Sequence, residues 1–252
     1  MYRIALILLF LPLSLFGQDK YRVSYSPQDM TVHVEACFDG PPPSYLHRNA
    51  DAADFSEAPR QLNGDWQSSS SGSRVYTRGL DQNACIEWSV NLGLAIERND
   101  YRLALDLGPK PGEGLLTRGD LWFWRDNERR QIEVSVILPE GYSLSTPWKP
   151  AGTRSGVALF RPSPTSASWS TRMAIGRFET RILDVGGTHL RAAAVGDFSG
   201  KSADAFFDWI QSTAESVASV HGDYPQQDPQ ILIVAIGAQG EAVPWAHVVR
   251  GG

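Results

Sequence analysis

Five histidines, two cysteines and one Gly-Lys-Ser triplet are the residues of this 252-residue chain whose types invite chemistry. His33, His47, His189, His221 and His247 are scattered. No two stand in the HExxH spacing, which sets two imidazoles on one metal with a Glu beside the bound water. His33 shares a strand parity with Thr31 and Glu35, and His221 falls at a helix carboxyl end, where positive charge suits the dipole. Gly200-Lys201-Ser202 looks like the end of a phosphate-binding loop. That loop needs a glycine four residues before its Gly-Lys-Ser; here Val195 occupies that position and Gly196 is one residue too close. The triplet reads as a turn and a helix cap. A nucleophile elbow needs Gly-x-Ser-x-Gly, and Gly72-Ser73 lies in a serine-rich loop without that frame. The sequence therefore offers no complete catalytic site and no metal or cofactor site of its own.

The cysteines invite pairing. Cys37 ends Met30-Thr31-Val32-His33-Val34-Glu35-Ala36-Cys37, and Cys85 starts Cys85-Ile86-Glu87-Trp88-Ser89-Val90. Both stretches alternate, and each Cys falls on the polar parity, with Glu35 and Glu87 respectively. The two sulfurs are then expected on one face of neighbouring strands. Neither Cys belongs to a CxxC and no His is near in sequence, which favours a structural disulfide over a redox pair or a metal site. Trp122-Phe123-Trp124 is expected to put two indoles on one side of a strand. A pair of core tryptophans is the preferred reading over a sugar-stacking platform.

The elements that must position these residues are mostly strands. Alternating or aromatic-rich runs occupy residues 21–25, 30–38, 74–78, 85–92, 121–124, 132–138 and 157–160. Turn compositions separate them, such as Gly40-Pro41-Pro42-Pro43, the serines of 68–73, Gly108-Pro109-Lys110-Pro111-Gly112 and Pro139-Glu140-Gly141. Many short strands so punctuated predict an antiparallel β-sandwich, with a short helix somewhere in 47–63. Beyond it the texture changes. Strand-like 177–183 and 189–195 flank Gly186-Gly187, a hairpin signal. A helix follows, capped by Ser202 and stopped by Gly222, with Phe206, Ile210, Thr213, Ala214, Val217 and Val220 on one face. After Pro229, residues 231–236 read as a strand buried on both sides. Strand, helix and buried strand predict the start of an α/β unit, with a boundary near residue 175.

The amino end has the order of a secretory signal peptide. Met1-Tyr2-Arg3 is positive, residues 4–11 are apolar, and Pro12-Leu13-Ser14-Leu15-Phe16-Gly17 leads into polar Gln18-Asp19-Lys20. Cleavage is expected after Gly17, giving a periplasmic or secreted protein. The apolar run falls short of the roughly 20 residues a spanning helix needs, and no other segment is long enough, so no membrane span is expected after cleavage. A net charge of −5 argues against a nucleic-acid partner. The organisation is then residues 1–17 as signal peptide, 18–174 as β-sandwich and 175–252 as an incomplete α/β segment. The last residues begin a strand that stops at Gly252, and truncation is the expectation.

Val134-Ser135-Val136-Ile137-Leu138-Pro139-Glu140-Gly141-Tyr142 resembles the "LPEGW" strand end of the glycyl aminopeptidase-like, PDZ-containing metallopeptidases of the gluzincin group, and Thr146-Pro147-Trp148 follows it. Ile175-Gly176-Arg177-Phe178-Glu179 is similar to the segment leading into their peptidase domain. Val243-Pro244-Trp245-Ala246-His247-Val248-Val249-Arg250-Gly251-Gly252 is similar to their "PFGRVxRGG" strand. The resemblance implies a sandwich followed by the first sheet of a thermolysin-like peptidase domain, whose zinc-binding HExxH helix comes later in the family. Zinc is expected only if such a motif follows. Through the resemblance, Val249, Arg250 and Gly251 are the candidates for an edge strand of the substrate cleft. The implied function is the non-catalytic amino-terminal portion of an exported metallopeptidase-like protein, whose partners are a peptide substrate or a downstream peptidase domain. The alternative is a stand-alone exported module that binds peptide or glycan.

Overall fold

The computed structural model describes residues 17–127, 130–163, 165–167, 171–198, 203–224 and 227–235. Strands β1 (Gln18–Ser26), β2 (Thr31–Cys37), β3 (Tyr45–His47), β4 (Arg60–Gln61), β5 (Ser69–Ser71), β6 (Arg74–Tyr76) and β7 (Cys85–Asn91) come first. After the short helix α1 (Leu92–Glu97) follow β8 (Ala104–Asp106), β9 (Gly114–Arg118), β10 (Gln131–Ile137), β11 (Ser143–Ser145), β12 (Lys149–Arg154), β13 (Val157–Arg161) and β14 (Arg172–Gly176). The last elements are β15 (Glu179–Val185), β16 (Thr188–Val195), α2 (Ala203–His221) and β17 (Gln230–Val234).

Alternation builds the main sheet. Tyr21, Val23 and Tyr25 of β1, Val32, Val34 and Ala36 of β2, Ile86, Trp88 and Val90 of β7, and Ile132, Val134 and Val136 of β10 are all buried. Successive side chains of a strand leave opposite faces, so each strand turns one parity inward. The sheet runs β12-β13-β10-β1-β2-β7-β4, with β1 parallel to β10 and antiparallel to β2. A second sheet, β11-β14-β9-β8, sends Leu115, Met173 and Ile175 into the same core. Two sheets sharing one core make this a mainly β, sandwich-like fold; β3-β6-β5 forms a further small sheet.

The aromatic run 121–124 is not a strand. Residues Gly119–Leu121 form a 3-10 turn, and the amides of Trp122 and Phe123 both bond to the Gly119 carbonyl, at 3.2 and 2.8 Å. A turn packed into the core replaces the expected alternation, and Trp122, Phe123 and Trp124 are all buried. Trp124 stacks on Trp88 with centroids 4.9 Å apart. The Trp88 indole N–H donates to the Trp122 carbonyl at 2.9 Å, and that of Trp124 to the Leu121 carbonyl at 2.8 Å. These bonds remove the cost of burying two polar indole groups. The helix sought in 47–63 is the 3-10 turn Ala50–Asp54, capped by Asn49 Oδ1 on the Asp51 amide at 2.8 Å. Helix α1 went unread; Asn91 ends β7 and caps it through the Leu94 amide at 3.0 Å.

A second apolar cluster forms beyond β14. β15 and β16 make a hairpin through Gly186 and Gly187, whose φ angles of 53° and 78° favour glycine. β16 pairs in parallel with β17, and α2 makes the crossover between them. Helix α2 ends at Gly222, with φ +85° and its amide on the Ala218 carbonyl at 2.8 Å. The expected Ser202 cap lies outside the described residues.

Two expectations about burial are corrected here. The face that α2 buries is Ala203, Phe207, Ile210, Ala214 and Ala218, so Ile210 and Ala214 are inside while Thr213, Val217 and Val220 are exposed. β17 is half-buried along its whole length rather than enclosed on both sides, because it is an edge strand of β15-β16-β17.

Candidate functional site

The structure joins Cys37 to Cys85 in a disulfide. They are directly opposed in the β2–β7 register, as Glu35 is to Glu87, so the polar parity of the two strands forms one outer face. Closing 48 residues of chain contributes about 4 kcal/mol in the chain-entropy model. Among the described residues, Glu35, Cys37 and Cys85 form the one group whose ligand atoms cluster as a metal would require. Its sulfurs are bonded to each other, which removes the thiolates a soft metal needs. The described residues thus do not fit zinc, and no chemical step is derived through it.

The histidines stay apart. His33 is exposed on β2 and meets Ser89 Oγ at 2.9 Å. His189 pairs with Asp184 across the β15–β16 hairpin. His47 is held below its ordinary value chiefly by burial, and its Nδ1 has no hydrogen-bond partner. His247 and the cleft-strand candidates Val249, Arg250 and Gly251 lie outside the described residues, as does the signal segment 1–16. No described helix is long and apolar enough to cross a membrane.

What the fold does assemble is an open flank on the second cluster. At 100° per residue, Phe206, Trp209, Thr213, Val217 and Val220 make a stripe adjoining the buried face of α2. Trp209 is 54% exposed and Val220 78%. The opposite flank of α2 is polar and faces β15. There Arg181 pairs with Asp204 and Asp208, and Gln211 donates to the Asp184 carbonyl at 3.2 Å. The apolar stripe therefore faces away from β15, toward the β17 side of the sheet. On that side Ile231 and Ile233 pack only partly against the α2 cluster. Among the described residues, sheet and helix together present an apolar flank in which β17 is an edge strand.

On the other face of the same sheet lies a groove of about 630 Å3. Its walls come from three sheets: β11 with Leu144, β10 and β13 with Val136 and Ala158, and the β15–β16 hairpin with Thr180, Ile182 and Ala193. Tyr142 and Phe160 line its floor. Arg191 of β16 closes one end, donating from Nη1 to the Thr146 carbonyl at 2.8 Å and from Nη2 to the Asp228 carbonyl at 3.0 Å. Its Nε has no partner, and burial pulls its pKa below the ordinary guanidinium value. No signal of single strands could have located this groove, since its walls are assembled from residues some 50 positions apart in sequence.

No protein-family model matches the sequence, and no curated protein matches it. Similarity appears in three dimensions. An aminopeptidase N family protein from Idiomarina loihiensis superposes with a TM-score of 0.64 at 10% identity, over 86% of this chain and 39% of that one. Native yeast LTA4 hydrolase gives a TM-score of 0.49 at 10% identity, over 86% of this chain and 37% of that one. The first of these is a likeness of fold, and this chain spans 39% of that protein's length.

Proposed function

We propose that this chain is the non-catalytic amino-terminal portion of an exported zinc metallopeptidase-like protein, and that its β15-β16-β17 sheet and α2 seat the peptidase domain. The observation that carries this reading is the open flank. Exposed Trp209, Val217 and Val220 beside half-buried Phe206 and a half-buried apolar edge strand mark a surface for another apolar layer. The sandwich holds that flank in place through Arg191 on the Thr146 carbonyl and Gln230 Nε2 on Ser145 Oγ at 3.0 Å. The fold likeness to part of a longer aminopeptidase N family protein supports the reading. A disulfide-tied sheet is compatible with export to an oxidising compartment. In this reading Val249, Arg250 and Gly251 are the candidates for an edge strand of the substrate cleft, and zinc is expected only where an HExxH motif follows.

Two measurements test it. Sequencing the encoding DNA past the Gly252 codon is expected to show an open frame containing HExxH and a later Glu. The purified chain is expected to hydrolyse no aminoacyl nitroanilide; a measurable rate lost on chelation overturns the reading. A stand-alone peptide-binding module is the second reading, favoured by the groove beneath β15 and β16. The glycan version loses its best platform, since Trp122 and Trp124 are buried.

A further inference from the structure

The groove beneath β15 and β16 has features that define an occupant. Its volume of about 630 Å3 falls in the range of ligand sites, roughly 300–1,000 Å3. Its walls are apolar and hydroxylic, with no Asp or Glu among the residues that line it. Two cations line it, and they differ. Arg181 is matched by Asp204 and Asp208. Arg191 meets only the backbone carbonyls of Thr146 and Asp228, so its charge rests on dipoles without a carboxylate in hydrogen-bond contact. Asp228 is the acid that bears on it electrostatically, and it forms no ion pair with it. A half-buried guanidinium with two engaged donors and others to spare is a carboxylate receptor, because a charged acceptor gains about twice what a neutral one does.

The walls say what carries that carboxylate. β11, β12 and β15 each end a sheet, so each has one row of backbone N–H and C=O groups without a neighbouring strand in its sheet. Of these, β11 borders the groove along its whole length, through Ser143, Leu144 and Ser145. Unpaired edges bind extended main chain by adding a strand, with side chains entering pockets at every second residue. Leu138, Tyr142, Leu144 and Phe160 supply apolar pockets, and Ile182, 67% exposed at the rim, supplies a contact at the entrance.

We propose that this groove binds an extended apolar peptide that presents a carboxylate to Arg191. The peptide lies along the free edge of β11, its apolar side chains fill the space between Leu144 and Phe160, and its carboxylate accepts from the Arg191 guanidinium. The site stands on the described residues alone and does not depend on a peptidase domain being present.

The test uses the purified chain and three dansylated peptides, read by fluorescence anisotropy. They are dansyl-Gly-Leu-Leu-Phe with a free carboxyl terminus, the same peptide amidated, and an amidated version with Glu in place of the second Leu. At least tenfold tighter binding of the free acid than of the amide assigns the carboxylate to a peptide terminus. The same preference for the Glu peptide assigns it to a side chain. Either preference is expected to disappear in Arg191→Met. That variant also loses two structural hydrogen bonds, so Ala158→Phe is measured beside it. Ala158 lines the groove next to Val136 in the β10–β13 register, and the larger ring is expected to abolish binding with an unchanged melting temperature. Equal affinity for the acids and the plain amide, no binding of any peptide, or full binding by a folded Ala158→Phe variant would each overturn the proposal.

Discussion

In β1, β2, β7 and β10 the inward-facing residues are covered and the outward-facing ones, Ile137 apart, polar or disulfide-bonded; in β17 every residue is half-covered and nearly all are apolar. The same contrast separates the two sets of aromatic rings. Trp88, Trp122 and Trp124 are enclosed in the sandwich, whereas Trp209 stands at 54% exposure on α2. A sheet covered by its own second sheet needs nothing further to satisfy its apolar face. The sheet β15-β16-β17 has one helix on one face and, among the described residues, an apolar edge strand that stays half-covered. The difference teaches that, among the described residues, the first cluster covers its own apolar face while the second leaves apolar side chains in water.

Substitutions can break this comparison, and the largest effect belongs to the first cluster. Trp88→Ala is expected to cost about 5 kcal/mol, since it opens a cavity and strips Trp124 of its stacking partner. Urea denaturation of the folded variant, if it accumulates, measures this. Replacing Cys37 and Cys85 together by Ser is expected to cost about 4 kcal/mol, and reductant should lower the melting temperature of the wild type and not of the variant. Phe207→Ala is expected to cost about 3 kcal/mol in the α2 cluster. Its signature sharpens the contrast: β15, β16 and β17 lose amide protection while β1 and β2 keep theirs.

Trp209→Ser with Val220→Ser is expected to change stability by no more than about 1 kcal/mol, because Val220 is largely in water and Trp209 about half so. The same pair should reduce binding of a hydrophobic dye, which neutral surface residues would not do. The smallest effect is a pH slope. Burial holds His47 below its ordinary 6.5, so the unfolded chain binds a proton there that the folded one resists. Stability contributed by the neutral ring is full above pH 6.5 and falls as the pH drops below it. His47→Gln should flatten that part of the profile.

Where one face of an element meets water and the other the core, the sequence was readable. The alternation of 21–25 and 132–138 located β1 and β10, and the shared parity of Cys37 with Glu35 and Cys85 with Glu87 indicated their common face. Where three rings follow one another, as in Trp122-Phe123-Trp124, no period survives, and a 3-10 turn replaced the expected strand. Helix α2 was legible as a helix, but its apolar arc is wider than the sheet beneath it. Phe206 and Val217 were therefore read with the buried face, which Ala203, Phe207 and Ala218 occupy instead. Residues 231–234 read as enclosed because they are apolar on both parities, a property of composition that says nothing about how many neighbours are present. The groove was not legible at all, since Leu144, Ile182 and Arg191 converge only once three sheets are in place.

Native-state hydrogen exchange on the chain alone tests this contrast most directly. The account predicts that β17 and the outer turns of α2 exchange through local opening, at far lower free energy than β1, β2 and β7, which exchange only with global unfolding. Equal protection across β17, α2 and the sandwich strands would contradict it, because it would show the flank to be as fully covered as the sandwich core.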